Sequence, residues 1–147
     1  MSKAKKLIVR ISSTQRALRV PRKAIATLVA FVARRQRARL GEVDVAVVDA
    51  RQIAAVNRRY LRHAGATDVI SFDLTTPGQP IEAQIIVCGP LAVREARRRG
   101  IAPTHELLLY VLHGLLHVMG YDDQSADAAA AMAARQELLL REFLETE

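Results

Sequence analysis

Two histidines, His113 and His117, stand four residues apart inside the most apolar stretch of the chain. On a helix that spacing projects both imidazoles from one face, a turn apart. A buried neutral imidazole needs partners for both ring nitrogens, so a pair in apolar surroundings is costly without a shared purpose. A metal ion supplies one, because each ring can give a lone pair to the same cation. Gly120 then permits a sharp reversal that carries Asp123 back toward the rings. The string His-x-x-x-His-x-x-Gly-x-x-Asp has the spacing of zincin-type sites, in which a turn at the glycine delivers the third ligand. His113, His117 and Asp123 are therefore the expected metal ligands, and one Zn2+ per chain is the expected cofactor. Three protein ligands leave a position for water, as a catalytic zinc needs and a closed structural zinc does not. Peptidases of the HExxH kind place a glutamate base directly after the first histidine. Here that residue is Gly114, so peptide hydrolysis by the usual route lacks its base. No side chain is assigned a catalytic role beyond holding the metal and its water.

The elements around this string must place it. The stretch from His105 to about Met119 is apolar nearly all round, which marks a helix at the buried centre of a domain. Thr104 is the expected cap at its start and Gly120 closes it. Ser125 can cap a final amphipathic helix running through Leu139 and Phe143. Upstream, Leu7–Ile11, Val43–Val47, Val69–Phe72 and Gln84–Cys88 read as four short strands. The turn Thr76-Pro77-Gly78-Gln79-Pro80 makes the last two an antiparallel pair. A helix begins near Pro21, runs to the arginine cluster at 34–39 and is expected to stop at Gly41. Asp49 caps another, which carries Ile53, Val56 and Tyr60 and gives way to a loop over 61–66. Leu91 to Arg99 forms a further helix that Gly100 stops. The expected class is α+β, a small mixed four-stranded sheet packed with about five helices, in one domain spanning 1–147.

Charge indicates a partner. The 147 residues carry 22 Lys and Arg against 15 Asp and Glu, a formal net charge of +7. From Asp122 onward there are seven acids and two bases, a net of −5, so the segment before it carries +12. Arginines cluster at 34–39, at Arg58, Arg59 and Arg62, and at 97–99. A guanidinium is a planar, permanent cation suited to phosphate, and a basic body suits a polyanion such as RNA. Solvated helix faces in an arginine-rich chain account for the same pattern. The longest apolar run, Ile25 to Ala33, is too short to span a bilayer, and no leader pattern follows the basic residues at the amino terminus. With one cysteine, Cys88, the expected setting is a reducing cytoplasm, away from membranes.

The residues from His113 to Asp123, HGLLHVMGYDD, resemble the signature HGxLHLxGYDH of the YbeY family of bacterial rRNA-maturation endoribonucleases. A second block agrees: Asn57-Arg58-Arg59-Tyr60, then Thr67-Asp68-Val69-Ile70-Ser71-Phe72, is similar to the family's N-x-x-Y and T-D-V-L-S-F. The resemblance spans essentially the whole chain. It implies a zinc-dependent, single-strand-specific endoribonuclease acting in 16S rRNA 3′-end maturation and ribosome quality control, with rRNA and the small ribosomal subunit as partners. Four positions depart from the family pattern. Asp123 stands where the third ligand is usually histidine, Leu61 where an arginine follows the tyrosine, and Ala83-Gln84 where Gly-Asp opens the fourth strand. Arg59 and Arg62 are the nearest candidates for contact with RNA.

Two other readings compete. A metallopeptidase of unusual design shares the ligand spacing but lacks the glutamate. A ribosome-associated RNA-binding protein with a structural zinc needs no catalysis at all. Among the remaining candidates, His63 and His105 read as exposed or capping, and Cys88 as a buried small hydrophobe. Thr67, Asp68 and Ser71 belong either to a turn and a sheet or to the wall of the cleft.

Overall fold

Alternating branched residues build the sheet. In the computed structural model, which describes residues 6–62 and 65–146, the strands are β1 (Ile8–Ser13), β2 (Leu40–Val48), β3 (Val69–Asp73) and β4 (Ile81–Cys88). Their order is β1-β2-β4-β3. β1, β2 and β4 run parallel, and β3 pairs antiparallel with β4, Val69 opposite Val87 and Asp73 opposite Ala83. Five α-helices accompany them: α1 (Arg22–Arg35), α2 (Ala50–Val56), α3 (Gly89–Arg99), α4 (Pro103–Val118) and α5 (Ala126–Thr146). A π-helical turn over Asn57–Leu61 follows α2. This is the expected α+β architecture with a mixed four-stranded sheet. Residues 1–5, with Lys3 and Lys5 of the basic amino terminus, and His63 lie outside the described residues.

Strand periodicity decides which side chains meet which layer. Val43, Val45 and Val47 of β2 and Ile85 and Val87 of β4 face the main core, with Leu28 and Val32 of α1, Leu112, Leu115 and Leu116 of α4, and Leu139 and Phe143 of α5. The opposite pleat carries Ile70, Ile86 and Cys88, which pack with Ile53 of α2 in a smaller cluster. β4 is thus covered on both faces, which accounts for its unbroken Ile85-Ile86-Val87-Cys88 run. α4 touches α1, α3, α5, β3 and β4, the central position its apolar surface requires.

Two expected boundaries are corrected. α1 does not run on to Gly41. It closes after Arg35 in a Schellman turn, with Arg37 at φ 52° and the Ala38 N–H bonded to the Ala33 carbonyl at 2.9 Å. Gly41 lies instead inside β2, at a register shift against β4, where a Cβ would come within 3.2 Å of the Pro80 ring. Thr104 does not cap α4. Ala102 holds that position without a side-chain bond, and Pro103, which has no N–H to satisfy, opens the first turn. The other expected caps hold. The Asp49 carboxylate accepts from the Gln52 N–H at 2.8 Å in a capping box, and Ser125 Oγ accepts from the Ala128 N–H at 3.0 Å.

Candidate metal centre

The last turns of α4 carry both histidines on a half-buried stripe, and their rings meet edge to face with centroids 4.8 Å apart. α4 ends at Val118 with Met119 as its cap, and Gly120 at φ 107° turns the chain. The Tyr121 N–H returns to the Leu116 carbonyl at 3.0 Å, and this reversal presents the exposed Asp123 to the rings. The donor atoms of His113, His117 and Asp123 all lie within 4.8 Å of one another. Two imidazoles and one carboxylate are a donor set that zinc accepts. Four-coordinate zinc needs donors about 3.4 Å apart, given bond lengths of about 2.0–2.1 Å, a spacing that small side-chain adjustments can reach from this arrangement. The residues present therefore fit a metal.

The three side chains open into a cleft of about 330 Å³. Its far wall comes from the start of β3, where Thr67, Asp68 and Ser71 line the space, and from Leu61 at the end of the π-turn. The π-turn starts at Asn57, whose buried side-chain amide donates to the Gly65 carbonyl at 3.1 Å while its backbone carbonyl accepts from the Arg62 N–H. Arg62 takes a left-handed conformation, φ 56°, to end the turn. The Tyr60 ring meets the Phe72 ring edge on, centroids 5.7 Å apart, which ties the Asn57–Tyr60 segment to β3. Arg59 stacks over the exposed Tyr60 ring at 5.3 Å. Arg59 and Arg62 flank the cleft but do not line it; Leu61 between them does.

Elsewhere, part of the arginine excess is spoken for within the chain. Arg98 pairs with Glu95, Arg99 donates to both carboxylate oxygens of the buried Glu106 at 2.9 Å, and Arg35 pairs with Glu142. His105 is exposed in the first turn of α4. Cys88 is fully buried, and burial pushes its thiol above the ordinary value of 9.0 despite the Leu91 N–H bonded to it. A thiol held protonated is a poor nucleophile, in keeping with a packing role.

Two residues of the site escaped the sequence reading. Gly114 is not merely a missing base. A Cβ there would stand 2.8 Å from Ile85 Cγ2 and 3.3 Å from Val69 Cγ2, so this position faces the sheet and lets α4 lie close upon it. The second is Gln136 of α5, whose Oε1 sits 2.9 Å from His113 Nδ1. Its signal was legible, for Gln136 is the one polar residue on the stripe Met132, Gln136, Leu139, Phe143, whose other members are buried.

Fold and site define an α+β protein whose His113, His117 and Asp123 cluster could hold a metal ion, with zincin-like spacing and no peptidase glutamate. The family model for endoribonuclease YbeY matches residues 9–144. The chain belongs to this family of RNA-cleaving hydrolases. Among curated relatives named endoribonuclease YbeY, that of Moorella thermoacetica is 39% identical over 110 residues, covering 67% of this chain and 70% of the relative. The Chlorobaculum parvum protein is 30% identical over 116 residues, covering 79% and 82%. The match to the Rhodopirellula baltica protein, 39% identical over 94 residues, spans 63% of this chain and 48% of that one. The solution structure of a Thermotoga maritima protein, TM1509, shares the fold, with a TM-score of 0.65 at 23% identity over 95% of this chain and 91% of that one.

Proposed function

We propose that this protein is a zinc-dependent, single-strand-specific endoribonuclease, acting in the cytoplasm on the 3′ end of 16S rRNA and in ribosome quality control. The small ribosomal subunit would present its substrate. The observation that carries the reading is the His113, His117 and Asp123 cluster opening into a narrow cleft, with a sheet-packing glycine where a peptidase would keep its base. Bound there, zinc would supply a Lewis acid and a water of lowered pKa. The chain's own residues do the rest. His113, His117 and Asp123 hold the ion, while Thr67, Asp68 and Ser71 offer hydrogen-bonding groups across the cleft. A space of about 330 Å³ has room for a sugar-phosphate unit of one strand. The charge of +12 carried ahead of Asp122 draws the phosphate chain toward the protein.

One observation favours a second reading. Leu61, an apolar side chain 44% exposed, lines the cleft where the family pattern has arginine. A protein that binds RNA and uses its metal for structure would tolerate that. Cleavage of a single-stranded rRNA-derived oligonucleotide by zinc-loaded protein separates the two, with an identically purified His117→Ala variant beside it. The proposal expects cutting by the parent and none by the variant. RNA binding without turnover, together with loss of the fold on metal removal, would establish the second reading instead.

A further inference from the structure

We propose that Gln136 is a positioning residue for the metal, fixing the orientation and tautomer of His113 from α5. The inference rests on the metal reading of the His113, His117 and Asp123 cluster but not on what the loaded protein cleaves. Gln136 is half-buried on the inner stripe of α5, between Met132 and Leu139, and its Oε1 lies 2.9 Å from His113 Nδ1. A carbonyl oxygen only accepts, so Nδ1 carries the ring proton and Nε2 keeps its lone pair for a metal. A ligating histidine whose second nitrogen is held in this way has its ring plane set before the ion arrives, and its basicity raised.

The placement matters because the ligands come from two different places. His113 and His117 sit on one rigid helix, whereas Asp123 arrives on a turn. α5 reaches both parts. Beside Gln136, Arg135 Nε donates to Gln36 Oε1 at 2.6 Å, and the Gln36 amide reaches the Tyr121 hydroxyl at 3.4 Å, two residues before Asp123. Adjacent residues of one helix thus restrain the His113 ring and the loop that carries the third ligand. Only Gln136 touches a ligand.

The test is zinc affinity, read by competition with a chromogenic chelator at fixed pH, for the parent, Gln136→Met and Gln136→Glu. Methionine keeps the length and replaces the amide oxygen with a thioether that accepts only weakly, while glutamate keeps an acceptor oxygen. Gln136→Met is expected to weaken zinc about 10- to 100-fold, and Gln136→Glu to bind at least as tightly as the parent. Nitrogen-15 NMR of the metal-free parent should show His113 protonated at Nδ1, with that preference lost in Gln136→Met. Cobalt absorption should report a changed ligand field in the same variant. Equal zinc affinity in the parent and Gln136→Met would overturn the proposal, as would equal weakening by both variants or an Nε2-protonated His113. A parent that binds no zinc would instead overturn the metal reading beneath it. RNA cleavage enters none of these outcomes, so a failure of the ribonuclease assignment remains distinct.

Discussion

Asp123 brings a full negative charge to a position that in the family pattern is usually a neutral imidazole. Neutralising part of the ion's charge leaves less of it to acidify water or polarise a phosphoryl oxygen. Asp123→His should therefore keep zinc and cleave the single-stranded oligonucleotide several-fold faster than the parent. Asp123→Ala should lose zinc affinity on the order of 100-fold, since removing a ligand costs at least as much as removing a ligand's supporting hydrogen bond. Chelator competition and initial rates check the two arms. A slower Asp123→His enzyme would show that the carboxylate does more than ligate. The exposure of Asp123 makes both substitutions tolerable to the fold.

At the scale of elements, the site is the place where α4 lies against β3 and β4 and is then gripped by α5. Gly114 sets the first spacing. Replacing it with alanine gains roughly 1 kcal/mol of helix propensity. It also drives a methyl to 2.8 Å from Ile85, an overpacking that costs about 1–3 kcal/mol. Overpacking should win because Ile85 is fully buried in a strand covered on both faces. Gly114→Ala is expected to lower the melting temperature by a few degrees, roughly 2–4 °C per kcal/mol. Thermal unfolding followed by circular dichroism reads this directly, and a raised melting temperature would mean that the helix moves freely over the sheet. The same contact explains why restoring an HExxH string with Gly114→Glu would yield a damaged fold and no peptidase.

For the whole molecule, burial links stability to pH. The Cys88 thiol is raised above 9.0 by desolvation, outweighing the Leu91 N–H. Tyr110 is raised above 10.0, first by desolvation and then by the charge of Glu106. Both groups hold their protons longer in the folded state than in the unfolded chain, so their contribution is full below pH 9 and falls as pH rises beyond it. Urea midpoints should be level from pH 7 to 8 and decline from about pH 9, less steeply in Cys88→Ala. Cys88 should also resist a thiol reagent until the protein is unfolded. The charge split, +12 ahead of Asp122 and −5 after it, is a property of the same scale, and it biases the molecule toward polyanions before any local contact forms.

Spacing alone determined a good deal. The four-residue interval between His113 and His117, the glycine after them and Asp123 beyond it pointed to the three side chains that the fold brings together, because helical periodicity and a left-handed turn are local properties. Alternation and capping residues likewise made the four strands, the Asp49 and Ser125 caps and the antiparallel β3–β4 pair legible. Non-local contacts decided the remainder. Gly41 read as a helix stop because nothing nearby in sequence reveals Pro80 lying against it. Leu61 read as loop because its π-turn depends on Asn57 bonding across to Gly65. Gly114 looked like an absent base until the sheet was seen beneath it, and Gln136, on the apolar stripe of α5, finds its partner His113 only where α5 lies along α4. Periodicity gives a face to each helix, but only packing brings one face within hydrogen-bond distance of another.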